Sequence, residues 1–441
     1  MPLQLSMKYQ SDDEEGFFYS SKHDLHYIDV TEECLLDNMT TETKDVVSLF
    51  SGAGGLDIGL ELAGFETAVC VEIDSNCRET LRYNRSKWKL FDDGTDRTPG
   101  DVRSIRAEEL LEFIGRKRGE PWLVVGGAPC QPFSNIGKKE GQNDVRNGDL
   151  FLEFVRLVTG ILPRSFIFEN VSGITQKKHS DVLLKMTECF RKIGYTVSGA
   201  ILNAANYGVA QKRERFILLG IRNSYKVAFP LPTHMRNDRS WNEFVDCLDN
   251  NPSYSPSRWV TVEEALAHIP KSIDKREDCV VMNVSEKIRE RMKHIKQGQN
   301  FKVLPISMLP NCWKSGKHQG QDTFGRMELS SPAPTIRTAA YNPTKGKYIH
   351  PIENRGLNIH ELAAFQGFPS SWVFKSRGRD RVTLVSAGKQ IGNAVPPLLG
   401  RAIGLAVKKQ LFQLRIRPKA RSRSFKEFAL KTASTAASGV V

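Results

Sequence analysis

Short apolar runs alternate with amphipathic segments along the first half of the chain. The runs lie at 46–50, 68–71, 122–125, 165–171 and 216–221, the last preceded by the charged stretch 211–215. Runs of this length and composition are typical of strands buried on both faces of a sheet. Their alternation with helices predicts an α/β fold, an open doubly wound (Rossmann-like) sheet with ligands above the carboxyl ends of its strands.

Helical periodicity separates the strands and returns near the end of the chain. The predicted helices lie at 56–63, 75–83, 151–158, 359–366 and 398–407, the last begun by two prolines. Between 223 and about 330 the pattern breaks down into short apolar pieces with many prolines. We therefore predict an N-terminal extension of unknown role (1–44), a catalytic and cofactor-binding domain (45–222), a second, smaller irregular domain (223–330), a returning segment (331–414) and a basic, disordered tail (415–441).

A glycine turn follows the first strand, and an acidic residue ends the second. Gly52 and Gly54 allow close approach of the backbone to a ligand, and the helix that follows offers unpaired N–H groups. Glu72 stands where a ribose hydroxyl pair would be bound. The turn has no lysine and is no P-loop, so an adenosine compound is predicted, with a dinucleotide and a methyl donor fitting equally well. Asp101, at a candidate third strand end, could meet an adenine amino group or be a plain loop aspartate.

The stretch GGAPCQPFS, residues 126–134, follows the third of the apolar runs. Pro129 and Pro132 fix two backbone dihedral angles around Cys130 and keep it out of a helix. A cysteine near an apolar strand is most often a small buried hydrophobe, but a core position needs neither the prolines nor the glycines. Cys130 is therefore a candidate reactive thiol on a stiff loop.

Charged side chains also mark the last two strands. Glu169 closes an otherwise apolar strand, and a carboxylate in such a place either caps a loop or points into a site. In the strand predicted at 211–221, alternation places Gln211, Arg213 and Arg215 on one face. Arginines at that position usually bind an anion.

The overall charge favours a polyanionic partner. The chain has 63 Lys and Arg against 50 Asp and Glu, a net charge of +13, although a basic tail would give the same balance. Its eight cysteines form no CxxC pair and no metal-ligand cluster with histidine, which argues against a metal site or a disulfide framework. No signal peptide or apolar membrane span is visible, so we expect a cytoplasmic, nucleoid-associated protein without membrane contact.

Six stretches in order resemble the DNA cytosine-5 methyltransferase family. They are DVVSLFSGAGGLDIGLELAG (45–64), GGAPCQPFS (126–134), FIFENV (166–171), QKRERFILLG (211–220), NIHELAAFQGFP (358–369) and QIGNAVPP (390–397). The resemblance implies S-adenosyl-L-methionine as methyl donor, double-stranded DNA as substrate, and a target-recognition domain at 223–330. The short N-terminal extension is similar to that of bacterial restriction-modification enzymes.

Residue roles also follow from the resemblance. Cys130 matches the nucleophile that adds to carbon 6 of a flipped-out cytosine, Glu169 the acid, and Arg213 and Arg215 the arginines that hold the substrate. The matches to the cofactor site are Phe50, Gly52, Gly54, Glu72, Ile73, Asp101, Pro129, Asn393 and Val395, with Gln390 in the last motif.

The chain departs from the family pattern just before Glu361. There Asn358 stands in place of threonine and His360 in place of arginine, which puts hydrogen bonds around Glu361 in doubt.

Two other functions are compatible with the same motifs. A transfer-RNA cytosine-5 methyltransferase shares these motifs, and a non-catalytic relative would keep the fold. We expect a monomer that modifies DNA alongside a cognate restriction endonuclease. The recognition sequence is not readable. Five residues in and near 313–321 are candidate readers of base edges, although phosphate contact or a solvated surface is the commoner role of such side chains: Lys314, Lys317, His318, Gln319 and Arg326.

Overall fold

The computed structural model describes residues 25–30, 42–92, 99–128, 150–176, 179–236, 254–275, 279–314 and 322–416. The strands are β1 (His26–Ile28), β2 (Asp45–Leu49), β3 (Glu66–Val71), β4 (Lys89–Leu90), β5 (Leu123–Gly126), β6 (Ser165–Val171), β7 (Tyr195–Asn203), β8 (Glu214–Arg222), β9 (Ala228–Pro230), β10 (His234–Met235) and β11 (Ser257–Arg258). The helices are α1 (Gly55–Leu62), α2 (Ser75–Asn84), α3 (Ala107–Phe113), α4 (Leu150–Ile161), α5 (Ser180–Lys192), α6 (Val262–Ala267), α7 (Glu286–Lys293), α8 (Asn311–Lys314), α9 (Ile359–Gln366), α10 (Leu384–Asn393) and α11 (Pro397–Ile416).

A seven-stranded sheet forms the centre of the fold, in the order β4-β3-β2-β5-β6-β8-β7. The strands from β4 to β6 pair in parallel, whereas β8 runs antiparallel to both of its neighbours. The predicted α/β class and open sheet are confirmed. Two details differ from the prediction, because the strand expected from Gln211 begins at Glu214 and the edge strand β7 was not predicted.

The region around Asp101 also differs from the prediction. The third strand expected to end near Gly100 is absent from the described residues, which place the short strand β4 at Lys89–Leu90 instead. Asp101 caps a single 3-10 turn, accepting a hydrogen bond from the backbone N–H of Arg103 at 3.1 Å. The Asp101 carboxylate therefore caps the start of a turn beside the sheet.

Each face of the sheet is covered by helices. Helices α3, α4 and α5 cover one face, where Phe154, Phe166 and Phe190 pack together. On the other face α1 packs against α11, so the end of the chain returns to its first helix. Glycine makes this contact possible, since a Cβ on Gly59 would lie 2.3 Å from the carbonyl oxygen of Pro397.

Parts of the predicted extension and second domain pack onto this core. Strand β1 pairs in parallel with β9, and the Gln410 side chain on α11 bonds both the N–H and the carbonyl of Ala228. A separate small core, which includes Met292, Phe301 and Phe324, lies within residues 284–349. The proposed domain boundaries stay a prediction. In the described ranges, no helix combines the length and apolar character needed to cross a membrane.

Asp57 in the first turn of α1 gives a prediction for stability. It is fully buried, and neither carboxylate oxygen has a hydrogen-bond partner in the described part of the chain. Burial raises its pKa from 3.8 to about 6, against smaller opposing effects from the Ser48 and Thr67 hydroxyls, which lie near it without normal hydrogen-bond geometry. The folded state thus holds the proton more tightly than the unfolded chain does. Its contribution to stability is complete below about pH 4 and is lost as the pH rises through about 6.

We expect Asp57→Asn to remove this pH dependence. Between pH 4 and 7 the wild type should lose about 2 kcal/mol more free energy of unfolding than the variant, because each pKa unit is worth about 1.4 kcal/mol and part of the loss has already occurred at pH 4. Urea denaturation at both pH values measures the difference. Asp181→Asn, an exposed position on α5, should follow the wild type. Parallel curves for Asp57→Asn and the wild type would disprove the role of this carboxyl.

Candidate active site

The carboxyl ends of four parallel strands meet at one edge of the sheet. Leu49 of β2 is in register with Val71 and Gly126, and Gly126 is in register with Phe168. Because β8 is antiparallel, its first residues lie at the same edge, where Arg215 faces Val171. The stretches that follow β2, β3, β5 and β6 are thus brought together with the start of β8.

Glu72 stands immediately after β3 and has a fixed carboxylate. One oxygen accepts a hydrogen bond from the N–H of Gly52 at 2.7 Å, and the other accepts one from the N–H of Asp74 at 2.7 Å. Burial raises the pKa of this carboxyl, while these two hydrogen bonds oppose the rise. Each oxygen keeps a further lone pair, so Glu72 is oriented as an acceptor for two ligand hydroxyls.

The turn after β2 has an unusual backbone. Phe50, Gly52 and Gly54 all have left-handed conformations, with φ of 55°, 55° and 83°. Such a conformation is costly for phenylalanine, and strain of this kind is common at ligand sites. A Cβ on Gly54 would lie 2.9 Å from the Leu81 side chain, whereas one on Gly52 would meet nothing within 4 Å. The turn therefore leaves open space directly at Gly52, next to the Glu72 carboxylate.

Two more predicted cofactor residues lie beside Glu72. Ile73 is 49% exposed, an apolar side chain left open at this edge. Gly100 has a φ of 77°, and a Cβ there would lie 2.1 Å from the carbonyl oxygen of Glu72. That close approach brings Asp101 next to the same site. The Arg103 side chain bonds the Asp101 carboxylate at 2.8 Å and lowers its pKa.

Glu169 forms the second half of the site. Its carboxylate lies 2.9 Å from Nε of Arg215, and both side chains are largely buried. Burial raises the pKa of Glu169, although the positive charges of Arg215 and Arg213 oppose that rise. A carboxyl of this kind keeps its proton to a higher pH than an exposed glutamate, which suits a proton donor.

Arg213 is placed differently from its predicted role. Its side chain is fully buried and donates to the carbonyl oxygens of Ile336 at 2.8 Å, Gly392 at 2.6 Å and Ala394 at 3.1 Å. Burial lowers its pKa to about 9, so it stays charged at neutral pH. This arrangement does not support direct contact with a substrate ring. Arg213 instead joins the start of β8 to the end of α10.

Three polar residues that sequence reasoning left without a role support the site. Asn170 donates from Nδ2 to the carbonyl oxygen of Ala128 at 3.0 Å, which fixes the end of the described loop after β5. Gln211 donates to the Gln366 side chain at 2.6 Å, and Gln366 donates to the carbonyl oxygen of Ala394 at 2.5 Å. All three lie inside motifs quoted above, so their positions were the available signal.

The last motif contacts the cofactor half of the site. The Thr80 hydroxyl on α2 donates to Gln390 at 2.6 Å. Val395 is buried, and a Cβ on Gly55 would lie 2.3 Å from its carbonyl oxygen. Asn393 is exposed at the end of α10. This segment therefore contacts the first turn of α1.

Glu361 keeps its hydrogen bonds although Asn358 and His360 replace the threonine and arginine of the family pattern. The Asn358 side chain accepts a hydrogen bond from the Glu361 N–H at 2.8 Å, and the Glu361 carboxylate accepts one from the Asn358 N–H at 2.9 Å. Arg355 adds two contacts to the same carboxylate, at 2.7 and 2.9 Å. Glu361 thus has its hydrogen bonds without the threonine and arginine of the family pattern.

Several predicted site residues lie either outside the described residues or away from this edge of the sheet. Pro129 and Cys130 lie outside the described residues, just beyond Ala128 in the chain, and so do the candidate readers at 317–319. Arg326 is buried, and its guanidinium donates to backbone carbonyl oxygens such as those of Ile295 and His350. Its side chain is therefore part of the small core, and the prediction that Arg326 reads DNA bases is wrong.

Gly127 gives a test of the Glu169 environment. A Cβ at this position would lie 2.7 Å from Oε2 of Glu169, so Gly127→Ala should displace the carboxylate. The methyl transfer that the family resemblance implies is expected to fall about 10- to 100-fold, since a small misplacement of a catalytic group has effects of that size. Single-turnover methyl transfer measures the loss. Gly173→Ala is the matched control, because Gly173 does not have a left-handed backbone and a Cβ there would meet only Nε2 of Gln176, at 4.0 Å. Full activity of Gly127→Ala would show that the carboxylate position is unimportant.

Known proteins similar in sequence to this chain are described as methylases or methyltransferases. A sequence model of the family described as C-5 cytosine-specific DNA methylase matches residues 44–409. The type II methyltransferase M.Sau96I of Staphylococcus aureus is 34% identical over 84% of this chain and 76% of its own length. M1.HphI of Haemophilus parahaemolyticus, also named a type II methyltransferase, is 31% identical over 82% of this chain and 86% of its own.

Solved structures are similar in fold. A candidate DNA modification methyltransferase encoded within an Escherichia coli prophage has a TM-score of 0.60 and 23% identity, covering 84% of this chain and 100% of its own. The Dnmt2 methyltransferase of S. pombe has a TM-score of 0.53 and 15% identity, covering 84% of this chain and 99% of its own. At these identities the likeness is one of fold.

Proposed function

The chain belongs to the C-5 cytosine-specific DNA methylase family, and we propose that it transfers a methyl group from S-adenosyl-L-methionine to carbon 5 of a flipped-out cytosine in double-stranded DNA. DNA (cytosine-5) methyltransferase is the activity of the family. One observation carries the proposal: a buried Glu169–Arg215 pair next to Gly127, at the same sheet edge as the oriented Glu72 carboxylate.

The residues after β2 and β3 fit S-adenosyl-L-methionine. Glu72 offers two fixed acceptors for ribose hydroxyls, Ile73 offers an apolar surface for the adenine, and the open space at Gly52 leaves room for the ligand. Asp101 would accept from the adenine amino group, and the backbone after Phe50 would line the ligand. When bound, this group supplies the methyl that carbon 5 receives.

Carbon 5 of cytosine is a poor nucleophile and needs activation. In the proposed reaction the Cys130 thiolate forms a bond to carbon 6, which moves electron density from the ring double bond to carbon 5. A thiolate is strongly nucleophilic even when it is a minor species, and nearby positive charge increases its share. After methylation, loss of the proton from carbon 5 restores the double bond and expels the thiolate.

Glu169 would share its proton with ring nitrogen N3 during thiolate addition. That proton relieves the negative charge that addition places on the ring, and the raised pKa of the carboxyl keeps the proton available. Arg215 holds the carboxylate at 2.9 Å and would bind the carbonyl oxygen on carbon 2 of the cytosine from the same side. Arg213 acts from a distance, by fixing the start of β8.

The substrate must reach this edge of the sheet. A stacked base is out of reach of a thiol, so the cytosine has to leave the helix. The net charge of +13 supports phosphate binding, and residues 223–330 would read the sequence. The resemblance to type II methyltransferases supports a role beside a restriction endonuclease that cuts the same site.

Labelled S-adenosyl-L-methionine tests the proposal directly. Purified protein incubated with mixed-sequence duplex DNA should incorporate label, and bisulfite sequencing should show protected cytosines at one recurring sequence. Transfer RNA serves as the competing substrate. Label in transfer RNA and none in DNA would overturn the proposed substrate, and label in neither, across a range of salt, would overturn the activity.

A further inference from the structure

An extended segment before α10 is fastened along helix α2 at regular intervals. Asn84 exchanges two hydrogen bonds with the backbone of Val373, at 2.7 and 2.9 Å. The Thr80 hydroxyl accepts from the N–H of Lys375 at 2.9 Å, and Asn76 accepts from the N–H of Arg377 at 2.8 Å. Side chains four apart on one helix face thus hold alternate residues of the segment. The segment is fixed in place rather than hanging from the surface.

This segment ends in a tight, strongly basic hairpin at 375–381, with sequence KSRGRDR. Ser376 and Arg379 form a backbone bridge, and Gly378 has a φ of 66° at the turn. Four positive side chains and one negative side chain give the hairpin a net charge of +3. In the described part of the chain the Arg377 and Arg379 guanidinium groups have no ion-pair partner, and both residues are exposed.

An open groove of about 490 Å³ separates the hairpin from α2. On the helix side it is lined by Glu79, Arg82 and Tyr83, and Lys375 lies 4.3 Å from the centre of the Tyr83 ring. Arg82 is paired with Glu79 at 2.6 Å, so the unpaired charge comes from the hairpin. On the hairpin side the groove is lined by Lys375, Ser376, Gly378, Arg379 and Asp380, so its lining carries three positive and two negative side chains.

We propose that this groove binds the phosphate backbone of duplex DNA outside the methylated site. Guanidinium groups suit phosphate, and an aromatic ring beside them suits the sugar-phosphate chain. Arg377 is bonded to Asn76 in the first turn of α2, close to the carboxyl end of β3. The hairpin therefore lies along α2, which starts just after the carboxyl end of β3, and the groove is lined by residues of α2 from Glu79 onward. The inference rests on DNA being the substrate.

The test compares two duplexes that carry the methylated site, one of about 12 and one of about 40 base pairs, at several salt concentrations. The double variant Arg377→Gln/Arg379→Gln removes two side-chain charges and keeps both backbone contacts. We expect it to weaken binding of the long duplex about tenfold near 0.1 M salt, and to reduce the slope of log affinity against log salt by about 1.8, or 0.9 per phosphate contact. Binding of the short duplex should not change.

Lys117→Gln/Lys192→Gln is the matched control. It removes the same charge from exposed positions before β5 and β7, at the opposite edge of the sheet, and should leave the slope unchanged. An unchanged slope for the hairpin variant on the long duplex overturns the proposal, and so does an equal loss on both duplexes, which would place the contact within the short duplex, at the methylated site. Absence of methylation by the wild type would instead overturn the proposed function, since this binding test does not depend on turnover.

Discussion

Replacing Cys130 with serine is expected to lower the rate of methyl transfer by at least about 1,000-fold, the scale of loss when a covalent nucleophile is removed. A serine hydroxyl is almost entirely protonated at neutral pH, so too little alkoxide forms to add to carbon 6. Binding of DNA and of S-adenosyl-L-methionine should remain, because neither depends on the new covalent bond. Single-turnover transfer of labelled methyl measures the rate, and fluorescence anisotropy measures DNA binding.

Cys189→Ser is the control for this prediction. Cys189 is an exposed, free thiol on α5, and its loss should leave the rate unchanged. A duplex with 5-fluorocytosine at the target position adds a second readout, since fluorine cannot leave carbon 5 as a proton does. The wild type and Cys189→Ser should form a complex that survives denaturation, and Cys130→Ser should not. Substantial turnover by Cys130→Ser would remove the covalent mechanism altogether.

The regular parts of the fold were predictable where the periodicity is strong and well bounded. Strand β6 and helix α9 have the predicted ends, at 165–171 and 359–366. Pro163 precedes the strand, and Gly367, with a φ of 84°, follows the helix. Strand β7 was missed because its sequence, YTVSGAILN, mixes Thr, Ser and Gly with the apolar positions. A strand of this composition depends on pairing with β8 rather than on a strong local pattern.

The direction of β8 could not be predicted, and this direction builds the acid half of the site. An apolar run shows that a strand is buried, but parallel and antiparallel strands give the same run. Because β8 is antiparallel, it starts where β6 ends, and Arg215 meets Glu169 at 2.9 Å. The sequence predicted both residues, and only the sheet topology explains their contact.

The role of Arg213 shows more clearly what the sequence pattern around a residue cannot predict. Alternation along an assumed strand placed it beside Arg215 with an equal role. The structure has Arg213 before β8 begins, bonded to carbonyl oxygens that are 123 and 179 residues away in the chain. Partners at such separations leave no trace in the spacing around residue 213. We therefore regard Arg213 as a positioning residue.

Glu169→Gln is expected to lower the methyl-transfer rate about 100- to 1,000-fold, within the range for loss of a general acid. Glutamine keeps the size of the side chain and an oxygen that can accept from Arg215, but it has no proton to share with ring nitrogen N3. The pH profile adds a readout that a packing defect would not give. Burial raises the pKa of Glu169, so the acid form persists above the usual range and wild-type activity should fall as the pH rises through that pKa.

In Glu169→Gln this decline at high pH should be absent from the residual rate. Glu188→Gln, an exposed position on α5, should keep both the wild-type rate and the wild-type profile. Binding of DNA and S-adenosyl-L-methionine to the variant should stay within about threefold of the wild type, because the proton acts on the ring during addition rather than on the bound ground state. A reduced rate that still falls with pH as in the wild type would assign the titrating group elsewhere and leave Glu169 as a support for Arg215.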